Sequence, residues 1–177
     1  MSEPSLSIRA FDKALHERGA FSSGIEPMDR WLRESAAEQS ALNRLRLWCA
    51  TSADGEFVGY YALAMHSVMP DDAPALARKR ERHPIPAIYL IALAVSTAHQ
   101  GQGIGGALLG DAITRCISLS TEIGTAAIIL DVLKDAQYER RRTFYLSLGF
   151  SQIGGGDPGR LFLSIKDALA TLMAAHS

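Results

Sequence analysis

The sequence predicts an α+β fold, a β-sheet layered with helices. Three observations carry this reading. Apolar stretches in the first part of the chain are joined by a hairpin signal at Asp54-Gly55. The second half alternates strand-like and helix-like stretches. Between them lies a continuous apolar run, Ile88 to Val95, rich in Ile, Leu and Val and without alternation, which reads as a strand buried on both faces.

Taken in order, Ser5 to Ala10 suits a first edge strand, with Leu6 and Ile8 inward. A polar loop follows, with Gly19 and the turn Ser22-Ser23-Gly24. Pro27 fits the first turn of a helix, and Met28, Trp31, Leu32, Ser35 and Ala36 then recur at helical spacing. Leu45 to Thr51 and Phe57 to Val68 are the two arms of the hairpin. Met69 to Pro86, rich in Pro, Arg and Asp, reads as a connection with one helical turn at Pro74 to Arg80.

After the run at Ile88 to Val95, a helix shows Leu108, Leu109, Ala112, Ile113, Cys116 and Ile117 on its core-facing stripe. Thr125 to Leu133 is another buried strand, and Ala136 to Leu148 a helix stopped by Gly149 as a C-terminal cap. Phe150 to Ile153 and Leu161 to Ile165 are short strands around a glycine loop, and Lys166 to Ala175 closes the chain as a helix.

The 177 residues suit a single domain, 1–177. Hydrophobic content of 47% with 21% charge describes an ordinary globular protein. No apolar run approaches a membrane span, and the N-terminus has no basic-then-apolar signal pattern, so the expected compartment is the cytoplasm. Cys49 and Cys116 lie in apolar contexts and read as reduced core residues; no metal-ligand spacing exists. Net charge is −1, which does not announce a nucleic-acid binder. Its distribution is more suggestive: Arg78-Lys79-Arg80-Glu81-Arg82-His83, Arg140-Arg141-Arg142, and Arg44 with Arg46. Local basic patches can hold a polyanion on a near-neutral chain, although each alone also suits solvated surface.

The chemistry concentrates in Gln100 to Gly106 (QGQGIGG), between strand and helix. Glycines admit backbone angles that other residues avoid and let a ligand approach the main chain. The first N–H groups of the helix have no internal partner and point outward with the positive end of the dipole. Together they make a phosphate or pyrophosphate cradle. Gly101, Gly103 and Gly106 also satisfy the dinucleotide pattern, but the loop lies past mid-chain and Glu122 precedes the next strand rather than ending it. No Lys-Ser or Lys-Thr follows, which excludes a P-loop.

What remains, Gln100-x-x-Gly103-x-Gly105 after an apolar strand, resembles the pyrophosphate loop of the GNAT superfamily of acetyl-CoA-dependent N-acetyltransferases. A second motif, Phe144-Tyr145-Leu146-Ser147-Leu148-Gly149-Phe150, is similar to that family's F-Y-x-x-x-G-F. The resemblance implies a mixed, mostly antiparallel sheet layered with helices and splayed at its central strands. It implies acetyl-CoA as co-substrate, held on Gln100, Gly101, Gln102, Gly103, Ile104, Gly105 and Gly106, with the main chain of Leu93, Ala94 and Val95 along the pantetheine arm. Tyr145 stands where the family often has its general acid. A phenol with pKa about 10 can protonate a departing thiolate. Tyr89 and Tyr138 read as structural, His99 as surface or catalyst, and Asp131 as near the site or satisfying a turn. No His–carboxylate pair stands out. A lysine amine, pKa about 10.4, needs a base before attack, whereas an α-amine, pKa about 8, is already partly neutral.

A narrower resemblance points the same way. Phe21-Ser22-Ser23-Gly24, Met28-Asp29-Arg30-Trp31-Leu32, Ala36-Ala37-Glu38-Gln39, Val58-Gly59-Tyr60-Tyr61-Ala62-Leu63 and Pro84-Ile85-Pro86 are similar to segments of the GNAT toxins of bacterial toxin–antitoxin pairs. This implies acetylation of the α-amine of aminoacyl-tRNA, a block of translation, a homodimer, and a ribbon–helix–helix antitoxin as partner. The basic clusters would face tRNA phosphates. Three departures bear on the acceptor rather than the cofactor: Ser22-Ser23 for the toxins' usual Asp-Cys, Ile91-Ala92 for a common Gly-Arg, and a longer Lys134 to Thr143 segment. The alternatives are transfer to a small-molecule or protein amine, and a non-catalytic acyl-CoA-binding module.

Overall fold

A computed structural model describes residues 5–175. Seven strands form one sheet: β1 (Ser7–Ala10), β2 (Arg46–Thr51), β3 (Phe57–Val68), β4 (Ile85–Val95), β5 (Ala127–Asp131), β6 (Ser151–Gln152) and β7 (Arg160–Ser164), in the order β1-β2-β3-β4-β5-β7-β6. Among the described residues four helices accompany them: α1 (26–41), α2 (Ile104–Ser120), α3 (Tyr138–Ser147) and α4 (Ile165–Ala175). Where pairing is defined it is antiparallel, except that β4 and β5 run parallel. The mixed, mostly antiparallel α+β sheet expected from sequence is therefore present.

The chain clusters into two compact units. Residues up to Ala64 with Leu90–Ala112 form the first, and Met65–Tyr89 with residues from Ile113 onward form the second. In the first unit Phe21, Leu32, Leu47, Cys49, Phe57 and Tyr60 pack into one buried cluster. Phe21 lies 4.9 Å from Phe57 and 5.5 Å from Tyr60 between ring centroids. Aromatic rings at such spacings add to the burial of their area. In the second unit Val68, Ala73, Ile85, Ala87, Ile129 and Ile153 make the corresponding core.

Several local details have clear physical causes. Gly55 takes φ +81°, and its N–H donates to the Ser52 carbonyl at 2.9 Å, closing the β2–β3 hairpin. α1 contains a π-helical segment, Leu32–Ala36. Arg18 Nη1 donates to the Leu32 and Arg33 carbonyls there, each at 3.3 Å, and so satisfies acceptors that the wider turn frees. Gly149, φ +97°, ends α3 as a left-handed cap.

The connection between β3 and β4 departs from expectation. A 3₁₀ turn falls at Pro70–Asp72, and the helical turn predicted for 74–80 is reduced to a single turn in which the Leu76 and Ala77 N–H groups donate to the Ala73 carbonyl at 3.0 and 2.9 Å. Proline at the first position of the earlier turn favours starting there. β5 is shorter than the predicted 125–133, ending at Asp131. Cys49 and Cys116 are free and buried. Among the described residues no helix is long and apolar enough to cross a membrane.

Candidate active site

In the first unit the end of β4 from Leu90, the glycine loop and the start of α2 follow one another without interruption. The parallel ladder to β5 covers only Ala87–Tyr89 and Ala127–Ile129. Beyond it, Leu90 and Ala94 are buried, while Ile91, Ala92, Leu93 and Val95 are partly exposed. The expectation of a strand buried on both faces therefore holds for Ile88, Leu90 and Ala94 and fails for Tyr89, 91–93 and Val95. With the ladder ended, the main chain of that stretch is open to a ligand.

Gly101 and Gly103 adopt φ of +77° and +82°. A side chain at either position would meet no atom within 4 Å, so backbone conformation and not crowding is what requires glycine. The two left-handed residues turn the chain into α2, whose first bond runs from Ala107 N–H to the Gly103 carbonyl at 3.1 Å. Gln102, Gly103 and Gly106 are exposed, while Ile104 is buried and seats the helix start. The N–H groups of this first turn have no partner within their own helix. An anionic diphosphate fits that cradle.

Gln100 is used differently from its neighbours. Its Nε2 donates to the Val95 carbonyl at 3.0 Å and to the Ser23 carbonyl at 3.0 Å, so its amide braces the loop from behind. Close approach also fixes Gly59 on β3. A Cβ there would stand 2.9 Å from the Ala94 carbonyl oxygen and 2.9 Å from Leu108 Cδ1. Only glycine lets β4 and α2 sit this close. Buried Tyr61, also on β3, donates to Asp111 Oδ2 at 2.5 Å and ties the same helix down.

A His–carboxylate pair, which the sequence reading missed, lies beside the loop. His99 Nε2 is 3.4 Å from Glu56 Oε2, and His99 Nδ1 is 2.7 Å from Ser96 Oγ. Residues 56 and 99 are joined only by folding, so spacing gave no signal. Both ring nitrogens are engaged, so His99 braces the 96–99 turn.

In the second unit Tyr145 is half-buried on α3, with its ring 5.2 Å from Phe144 and 5.8 Å from Phe150. Among the described residues its hydroxyl makes no hydrogen bond. Burial pushes the phenol up to about 12, against a small opposing pull from the Arg141 guanidinium. Tyr145 therefore stays protonated at physiological pH.

The same unit holds a polar row across four strands. Tyr89 donates to Asp131 Oδ2 at 2.6 Å, Arg160 Nε lies 3.4 Å from Asp131 Oδ1, and Arg160 Nη2 is 3.5 Å from His66 Nε2. Burial and the hydrogen bond to Asp131 hold the Tyr89 phenol above its ordinary range. Burial, then Arg160, lowers the His66 imidazole. Asp131 and Arg160 are direct partners in the β5–β7 register, so Asp131 satisfies a cross-strand pair rather than a turn. Among the described residues the Tyr138 hydroxyl is buried without a hydrogen bond.

The arginine triplet is largely committed locally. Arg141 pairs with Asp135, and Arg142 Nε donates to the Pro158 carbonyl at 3.0 Å. Arg46 is likewise held, by Asn43 Oδ1 at 2.5 Å. Arg78, Lys79, Arg80 and Arg82 are exposed on one loop, where Arg80 takes φ +66°. No group of three or more metal-ligating side chains occurs among the described residues.

Comparison with known proteins adds four findings. The profile of the family described as Acetyltransferase (GNAT) domain matches residues 43–152. A tRNA-acetylating toxin of Mycobacterium tuberculosis is 40% identical over 153 residues, covering 86% of this chain and 89% of the relative. The structure of AtaT complexed with acetyl-methionyl-tRNAfMet superposes with a TM-score of 0.80 at 25% identity, over 96% of this chain and 99% of that one. That of AtaTR bound with AcCoA superposes with a TM-score of 0.76 at 26% identity, over 94% and 98%.

Proposed function

The chain belongs to the GNAT acetyltransferase family, and from that premise we propose that it transfers acetyl from acetyl-CoA to the α-amine of aminoacyl-tRNA and thereby blocks translation. The observation that carries the reading is the loop after β4. Two left-handed glycines and an exposed helix start form a cradle for the CoA pyrophosphate. The 40% identical relative, named for acetylating tRNA, supports the acceptor.

The chemistry follows from groups already described. A main-chain N–H near Leu93 to Val95 donates to the thioester carbonyl as negative charge develops on its oxygen. The neutral amine attacks the carbonyl carbon, the C–S bond breaks, and the thiolate takes the proton of Tyr145. The attacking nitrogen loses its extra proton to solvent, and solvent returns a proton to the Tyr145 phenolate. An α-amine with pKa about 8 reaches the neutral form without a dedicated base. Tyr145 suits the acid role because its phenol is unpaired and protonated. The loop bearing Arg78, Lys79, Arg80 and Arg82 is the proposed phosphate-contacting surface. A homodimer, a ribbon–helix–helix antitoxin and a cytoplasmic site of action complete the proposal; a solved structure of an AtaT mutant toxin bound to the C-terminus of the antitoxin AtaR supports an antitoxin.

The test is cell-free translation with purified protein, with and without acetyl-CoA. Synthesis stopping only when both are present, with acetylated aminoacyl-tRNA recovered by mass spectrometry, is the expected result. Acetylation of a free polyamine or peptide with charged tRNA untouched would move the acceptor to small or protein amines. Cofactor binding with no turnover on any amine would leave a binding module instead.

A further inference from the structure

We infer that Asp29 is a positioning residue for the acetyl-CoA loop, acting through the Ser22–Gly24 turn. This rests on the proposed use of that loop for acetyl-CoA and adds a residue far from it in sequence.

Asp29 lies in the first turn of α1 and is only 2% exposed. Among the described residues no cation pairs with its carboxylate. Its acceptors are instead spent on one turn. Oδ1 accepts from the Ser23 N–H at 3.0 Å and from Ser23 Oγ at 2.6 Å. Oδ2 accepts from the Ser23 N–H at 3.1 Å and from Ser22 Oγ at 3.2 Å. Bonds to a charged acceptor are roughly twice as strong as neutral ones, so this turn is held more firmly than an ordinary loop.

That turn in turn holds the cofactor loop. The Ser22 carbonyl accepts from the Thr97 N–H at 2.8 Å. The Ser23 carbonyl accepts from Gln100 Nε2 at 3.0 Å, and the same nitrogen reaches the Val95 carbonyl at 3.0 Å. Gly24, at φ +83°, comes so close that a Cβ there would be 3.3 Å from Thr97 Cγ2. The segment from Val95 to Gln100 is thus gripped at Thr97 and Gln100 by one three-residue turn, and the turn is gripped by one buried carboxylate.

The consequence is specific to binding. Gly101 and Gly103 follow directly and have open space around them, so their own surroundings do little to fix their angles. The anchor at Gln100 sets the direction from which they start. Released from it, the loop samples more conformations, and acetyl-CoA must order it on binding. Ground-state affinity then falls, while the chemistry of a saturated complex is left alone.

The experiment is isothermal titration with acetyl-CoA, together with steady-state kinetics, on wild type, Asp29→Asn, Ser23→Ala, Gln100→Met and the Asp29→Asn/Gln100→Met double variant. Asparagine keeps the shape but turns one acceptor into a donor facing donors. Asp29→Asn should weaken acetyl-CoA binding about tenfold, the effect of losing one charge-assisted hydrogen bond. KM for acetyl-CoA should rise in step, with kcat at saturation near wild type. Ser23→Ala removes only the hydroxyl bond and should shift Kd in the same direction by less. The double variant should be weakened by less than the product of the single effects.

A lowered melting temperature with wild-type Kd in Asp29→Asn would overturn the inference and leave Asp29 a structural residue. Multiplicative effects in the double variant would overturn the route through Gln100. If Asp29→Asn does not fold, Ser23→Ala decides alone: a raised Kd supports the inference and an unchanged one overturns it. Wild-type protein that fails to bind acetyl-CoA would overturn the proposed function itself, and this inference with it.

Discussion

Replacing Gly59 with alanine tests how β3 positions the cofactor elements. The added methyl would stand 2.9 Å from the Ala94 carbonyl oxygen, 2.9 Å from Leu108 Cδ1 and 3.6 Å from Ile104 Cγ2. The first is backbone and cannot rotate away. Leu108 is fully buried, so its side chain has no free space to swing into. Forcing an extra methyl into such a site costs about 1–3 kcal/mol. Removing glycine's freedom from the unfolded chain returns about 0.4–1 kcal/mol. The net expectation is a loss of about 1–2 kcal/mol, or about 2–8 °C in melting temperature for a chain of this size.

Urea denaturation with an unchanged m-value would measure the first quantity and a thermal melt the second. Titration should also show weaker acetyl-CoA binding, since the displaced groups are the Ala94 carbonyl and the first turns of α2. Gly55→Ala is the control. It has φ +81° with nothing within 4 Å, so strain lowers stability while cofactor affinity stays unchanged. If Gly59→Ala matched wild type in both stability and Kd, the claim that close packing at Gly59 sets the site would be wrong.

Further outcomes follow from the same geometry. Tyr145→Phe should lower kcat about 10²- to 10⁴-fold with little change in acetyl-CoA Kd, read by stopped assay and titration; a kcat within a factor of about three would remove the acid role. Because burial pushes the Tyr145 phenol up to about 12, wild-type kcat should show no alkaline fall below pH about 10 from this group. His16 is buried between Phe11 and Phe57, and burial lowers its imidazole below 6.5. The unfolded chain takes the proton first, so stability present above pH 6.5 is lost as pH falls below it, His66 adding to the trend. Chemical denaturation across pH 5–7.5 should show a shallower acid limb for His16→Gln, and an identical slope would exclude His16 as a cause. Asp131→Asn breaks a partly exposed pair with Arg160 and should cost no more than about 1 kcal/mol by urea melt.

Much of this molecule is legible without coordinates because local rules act over a few residues. The run at 88–95, the glycines at 101–106 and the cap at Gly149 each state their own backbone conformation. The hairpin at Asp54-Gly55 and the Pro27 helix start do the same, and the structure agrees with all of them. The family motif could be recognised for that reason: a phosphate cradle is built from consecutive main-chain groups.

What folding alone decided are the pairings between distant residues. Asp29 bonds Ser22 and Ser23 across six or seven positions. The link from Ser23 to Gln100 spans 77 positions and that from His99 to Glu56 spans 43, and no sequence period reports them. Gly59 illustrates the same limit from the packing side. In sequence it is a glycine inside a strand, nominally unfavourable. Only the approach of Ala94 and Leu108 from two other elements explains why no larger residue fits. The sequence determined which chemistry the main chain can do. Tertiary structure decided which side chains hold that main chain still, because hydrogen bonds and close contacts depend on distance in space and not along the chain.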